Sequence, residues 1–206
     1  MKILAKAQFR RATWKNGLGY TDEIAIYPES ASLKAGDFVW RLSSARIEQA
    51  SAFSSFPDHD RVLAVLSGQG IRLFHRFEEG EPEECMELPP FSAYDFPGDI
   101  QSRCELVNGA IQDLSVIIRK GEAEAQVRPV EIQANEVFDW KPEGRWNFAM
   151  AVDSGFVAER EGEEKLNIER GDCLRVDRHR SDEPGIQLRG DGTSTRLILV
   201  EIGSTS

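Results

Sequence analysis

Histidine and cysteine are scarce in this chain, with three of each in 206 residues. Cys85, Cys104 and Cys173 are odd in number and widely spaced, and no CxxC pair occurs. That excludes a zinc ribbon and a thioredoxin-like motif, and leaves each cysteine as a reduced packing residue. No apolar run approaches the roughly 20 residues that a membrane span needs. The N-terminal MKILAKAQFRRATW lacks the apolar centre of a signal peptide. The expected location is therefore the cytoplasm. Positive charge is also in deficit, with 25 Lys and Arg against 35 Asp and Glu and a formal net charge of −10. Such a surface repels DNA, RNA and anionic lipid, so neither nucleic acid nor membrane is an expected partner.

Strong helix signals are missing as well. SASLKAGDF (30–38) and EQASAF (48–53) are too short or too glycine-marked for long helices. What is present is strand after strand. EIAIYP (23–28) alternates and then meets proline, and FVWRLSSARI (38–47) alternates over most of its length. RVLAVL (61–66) is an apolar run behind a charge, IRLFHRF (71–77) follows an SGQG turn, and DLSVIIR (113–119) reads as another strand. Short strands separated by Gly and Pro predict an all-β sandwich or barrel. The 40% hydrophobic content suits its core.

KGEAEAQVRPVEIQ (120–133) shifts the composition and reads as a linker or a connecting edge strand. Beyond it the pattern restarts: WNFAMAV (146–152), a DSG turn, FVAERE, then ERGDCLRVD (169–177) and RLILVEI (196–202). The two halves share an order of elements with little residue identity. Two barrels of one kind satisfy that echo, and so does shared β-propensity alone. The expected domains are residues 1–122, with a ligand pocket, and a smaller unit over 123–206. In the latter, REGEEK (160–165) and DRHRSDE (177–183) read as solvated loops.

The first half's strand, glycine turn and strand, followed by FPGD (96–99), resembles the cupin family, small antiparallel barrels of which many hold a metal in the mouth. The cupin pattern places two histidines and a glutamate around the strand leading to the glycine turn, and a third histidine after the later turn. This chain offers only His59 and Asp60 at the first position, and FPGDIQSRCEL (96–106) has no histidine. A stable transition-metal site takes three or four ligands. No metal and no cofactor is expected, and His59 reads as a polar loop residue.

Two stretches carry less ordinary chemistry. In WKNGLGYTDEIAIYP (14–28), Lys15 and Asn16 precede Gly17 and Gly19, which permit a tight backbone. Such a loop either presents a lysine, an amide and free N–H groups to an acceptor-rich ligand, or is an ordinary turn. In WRLSSA (40–45), Trp40 and Leu42 point one way and Arg41 and Ser43 the other. If Trp40 and Leu42 face the interior, Arg41 is solvated. If Arg41 and Ser43 do, a confined guanidinium demands an anion. Arg61 poses the same question, between a bidentate carboxylate contact and a surface pair with Asp58 or Asp60. Asp95 and Asp99, flanking FPG, are candidates to pair with these cations, an Arg61–Asp95 clamp among them.

The ordered set WKNGLGYTDEIAIYP, WRLSSA, FSSFPDHDRVLAVLSGQG, PPFSAYDFPGD and DLSVIIR is similar to the HutD/Ves family over residues 13 to about 119, and in outline beyond. Departures are FPDHDR, where the family has FPGxxR, and GLGYT, where GGG-like runs are common. The resemblance implies a bicupin, two stacked cupin-like antiparallel β-barrels, without a metal. It also implies a role in bacterial histidine utilisation, through binding of a small acidic pathway molecule that restrains flux. Ves members are associated with stress responses instead, and no catalytic activity is implied.

Three readings follow. As a binding module, Lys15, Asn16, Arg41, Ser43 and Arg61, with Asp95 and Asp99 near them, hold a small carboxylate such as urocanate, formylglutamate or formate. Trp14, Trp40, Phe53 and Phe56 then wall it. As a metal-independent lyase, isomerase or amidohydrolase, Asp95, Asp99 or His59 is the base and Arg61 the electrostatic stabiliser. No nucleophile elbow and no Ser–His–Asp order is present. As an interaction protein, the second barrel serves to cover the first or to pair in a homodimer.

Overall fold

The structure, a computed structural model, describes residues 1–14, 19–178, 183–191 and 194–205. It is all-β: nineteen strands and one short 3-10 turn, Lys6–Gln8, among the described residues. The chain divides into two compact units, Arg10–Ala123 and a second made of Met1–Phe9 with Glu124–Ser206. The first nine residues thus leave the unit in which the sequence placed them. The physical reason is strand pairing, since Lys2–Leu4 lies antiparallel to Cys173–Asp177.

The Arg10–Ala123 unit consists of two sheets. The larger runs Arg10–Thr13, Gly19–Tyr27, Trp40–Ile47, Ile111–Arg119, His59–Ser67 and Ala93–Pro97 in spatial order. Every neighbouring pair in it is antiparallel. The smaller runs Ser51–Ala52, Gln101–Leu106, Ile71–Arg76 and Glu84–Leu88. The SGQG turn joins the two sheets, with Gly68 at φ +99° and Gly70 at φ +94°. A side chain at Gly68 would meet the Ala110 carbonyl and the Ile111 Cγ2, each 2.7 Å from its Cβ. Glycine is required there by both conformation and space. Between the sheets lies a core of Ile47, Leu63, Val65, Ile71, Leu73, Leu88, Phe96, Cys104 and Ile111.

The three central strands of the larger sheet are buried on both faces. Trp40, Leu42, Ala64 and Val116 on one side are as inaccessible as Leu63 and Ile111 on the other. This explains why RVLAVL reads as a continuous apolar run rather than an alternating one.

The second unit repeats the two-sheet plan. One sheet orders Lys2–Leu4, Cys173–Asp177, Trp146–Ala151, Thr195–Ser204 and Ala123–Ile132. The other orders Val137–Trp140, Ile186–Gly190, Phe156–Glu159 and Leu166–Ile168. Its interior is filled by Ile132, Trp140, Phe156, Leu174, Leu188 and Leu197 among others. The ambiguous 120–133 segment is an edge strand, and Pro129 sits where a missing N–H is tolerated. In both units the sheets run from one edge strand to another, so hydrogen bonding does not close either into a continuous cylinder.

Candidate functional site

One face of the larger sheet in the Arg10–Ala123 unit carries the site. The register sets Ser43 opposite Glu23 on one side and opposite Ser115 on the other. Arg61 lies opposite Ile117. With the two-residue period of a strand, odd-numbered residues share this inward face. At one end of it Ile47, Leu63, Val65 and Ile111 enter the core. Toward the other end Arg41, Ser43, Arg61, Asp113, Ser115 and Ile117 line a cavity of about 400 Å3. Trp14, Phe53 and Phe56 add apolar wall. The Trp14 indole is held by a 2.9 Å hydrogen bond from Nε1 to Thr21 Oγ1.

The two arginines differ in how their charge is met. Arg41 donates from Nε to Glu23 Oε2 at 2.8 Å and from Nη1 to Ser43 Oγ at 2.9 Å. Glu23 also pairs with Arg10. Arg61, equally buried, donates from Nε to Ser115 Oγ at 3.0 Å and stacks on Phe53, with Cζ 4.4 Å from the ring centroid. It forms no ion pair, and its two terminal nitrogens have no hydrogen-bond partner among the described residues. Burial lowers its pKa to about 10, opposed by Asp113 and assisted by Arg41. The guanidinium therefore stays a cation at neutral pH, in a place where an unmatched charge is costly.

Asp113 is the acidic side chain of the cavity. Its Oδ1 accepts from the Ala45 N–H at 2.7 Å, and its Oδ2 is buried without a partner. Burial raises this carboxyl to about 6, against the pull of Arg61, the Ala45 N–H and Arg41.

Of the expected site residues, the fold brings Arg41, Ser43 and Arg61 together. Lys15 and Asn16 lie outside the described residues. The two expected carboxylates are elsewhere. Asp95 is exposed, and because Arg61 pairs with Phe96 and Val62 with Asp95, it points to the face opposite Arg61. The Arg61–Asp95 clamp is therefore not formed. Asp99 is exposed and 3.2 Å from Lys120 Nζ. Trp40 is not a cavity wall, since it lies on the opposite face from Arg41 and stacks on Tyr27 at 6.0 Å. His59 is buried against Phe38, its Nδ1 2.7 Å from the Pro57 carbonyl. His75 shares a 2.8 Å hydrogen bond with Ser102. Among the described residues, no group of three or more His, Cys, Asp or Glu is placed to hold a metal. Sequence reasoning missed Asp113, Ser115 and Glu23. The available signal was an acid in step with a serine at the head of DLSVIIR.

A two-sheet, all-β scaffold with arginines turned inward defines a cupin-like fold with an arginine-lined cavity. The solved oxalate decarboxylase of Lactobacillus farciminis shares this fold at a TM-score of 0.67, 9% identical over 97% of this chain and 85% of its own. The HutD family model matches residues 6–198, and the chain belongs to that family. A Pseudomonas putida protein described as an uncharacterized 21.2 kDa protein in the hutC 3′ region is 38% identical over 117 residues, 57% of either chain. Protein Ves of Citrobacter koseri is 33% identical over 56% of either chain. These curated relatives are thus matched over little more than half their length. The structure of HutD from Pseudomonas fluorescens SBW25 in a formate condition superposes with a TM-score of 0.76 at 28% identity, covering 100% of this chain and 99% of that one.

Proposed function

We propose that the protein captures a small carboxylate in the Arg61 cavity and, as a HutD family member, modulates histidine utilisation by doing so. Urocanate, formylglutamate and formate are the ligands to test. The observation that carries this reading is the buried Arg61 guanidinium, whose two terminal nitrogens have no partner among the described residues, beside a cavity of about 400 Å3. That volume lies within the usual range for small-molecule sites. A carboxylate presents two oxygens to a guanidinium fork, and the charge-assisted bonds supply both strength and geometry. Formate is included because a formate condition is named for the Pseudomonas fluorescens HutD structure. Each unit is taken as one cupin barrel, making a bicupin, and the net charge of −10 argues against nucleic-acid partners. The cytoplasm is the proposed location, with a homodimer compatible with the fold.

Calorimetric titration and thermal-shift measurements with the three acids test this. A binder should raise the melting temperature by mass action, and Arg61→Ala should abolish the rise. An unchanged response in that variant would remove Arg61 from the site. A second reading is favoured by one observation: a carboxyl raised to about 6 sits in the same cavity as the Arg61 guanidinium. In that reading Asp113 is a general base and the protein a metal-independent enzyme acting on an amino-acid derivative. Incubating the bound acids and following their consumption separates binding from turnover.

A further inference from the structure

The cavity that holds Arg61 also holds an idle acceptor, and the two together describe a ligand. Asp113 is 1% exposed, its Oδ1 is occupied by the Ala45 N–H, and its Oδ2 receives no hydrogen bond. A buried acceptor without a donor costs stability. Arg61 and Asp113 attract one another across the cavity, yet no hydrogen bond or ion pair joins them. Register explains why. Arg61 reaches along the sheet to Ser115, and Asp113 is the next residue on the same face of that strand. Adjacent same-face positions are about 7 Å apart.

Resting on the reading of the cavity as an anion-capture site, we infer that it selects acids that also carry a hydrogen-bond donor. Arg61 holds the carboxylate, and Asp113 Oδ2 accepts from an N–H or O–H elsewhere on the same molecule. A bare carboxylate satisfies Arg61 but brings a second negative charge toward an Asp113 that remains unpartnered. A donor-bearing acid satisfies both residues at once. Discrimination of this kind is strong because the rejected ligand leaves a buried polar group unpaired.

The test is calorimetric titration at pH 7 with three probes: N-acetylglycine, which has the N–H; N-acetylsarcosine, in which a methyl replaces it; and propionate, which has the carboxylate alone. The expected result is that N-acetylglycine binds at least about tenfold more tightly than N-acetylsarcosine. Asp113→Asn keeps an oxygen for the Ala45 N–H but turns the idle acceptor into a donor. In that variant the preference should fall to within about twofold. Equal affinities in the native protein, or a preference that survives in Asp113→Asn, would overturn the inference. If propionate binds and the preference is absent, anion capture stands and only the donor requirement falls. If none of the three binds, both fall. Should Asp113→Asn not fold, titrations of the native protein in two buffers of different ionisation enthalpy decide. No proton uptake is expected with N-acetylglycine. Uptake of about one proton would sink the proposal, because a proton would then be satisfying Asp113 in place of the ligand.

Discussion

Arg41 and Glu23 form a buried ion pair at 2.8 Å, with 7% and 10% of their side chains exposed. Arg61, two strands away on the same face, has no such partner among the described residues. One arginine is thus tied into the scaffold by an ion pair, while the other is anchored through Nε and its stacking on Phe53 alone.

The two arginines should respond to truncation in opposite ways. Arg41→Ala leaves Glu23 with only the exposed Arg10 and should destabilise the protein by about 3 kcal/mol. Arg61→Leu removes an unmatched buried charge and should change stability by less than about 1 kcal/mol, in either direction. Urea unfolding of both variants without ligand checks this. Similar large losses in both would mean that Arg61 is structural too.

Asp113 should write its burial into the pH dependence of stability. Its carboxyl titrates near 6 in the folded protein and near its ordinary 3.8 in the unfolded chain. Between those values the folded state binds more protons, so this residue's contribution to stability falls as pH rises from about 4 to about 6 and is level above that. Two units correspond to roughly 3 kcal/mol at most. That figure already includes the opposing pull of Arg61, Arg41 and the Ala45 N–H. In Asp113→Asn this component of the slope should vanish. Urea midpoints of native protein and variant at pH 4, 5, 6 and 7 give the comparison, and parallel curves would contradict the assigned burial.

Gly68→Ala should cost about 2 kcal/mol or more, from a left-handed φ of +99° and two 2.7 Å contacts to the neighbouring strand. Gly80→Ala is the control, with φ +90° and nothing within 4 Å of its Cβ. It carries the conformational cost alone, about 1 kcal/mol. Thermal unfolding of the pair separates crowding from backbone strain, and equal losses would show that the Gly68 turn has room to give.

Much of the scaffold is legible in the residues. The strands Trp40–Ile47, His59–Ser67, Ile71–Arg76 and Ile111–Arg119 fall where RLSSARI, RVLAVL, IRLFHR and DLSVIIR announce them. The less apolar Glu84–Leu88 and the short Ser51–Ala52 carry no such signal, because an edge position asks for backbone pairing more than for a buried side chain. The site is legible by halves. Arg41 and Ser43 follow from alternation, but alternation cannot say which face of a strand is inside when both are buried.

Local sequence determined that this chain is all-β, where most of its strands lie and that its glycine turn must be tight, because side-chain periodicity and φ preferences act within a few residues. Only the tertiary structure decided that Arg41 is matched by Glu23 while Arg61 is not, that Asp95 and Asp99 lie outside the cavity, and that Asp113 lies within it. Those outcomes are set by cross-strand register between residues as far apart in the chain as Trp40 and Ile118, and in a sheet a shift of one residue turns every side chain to the other face.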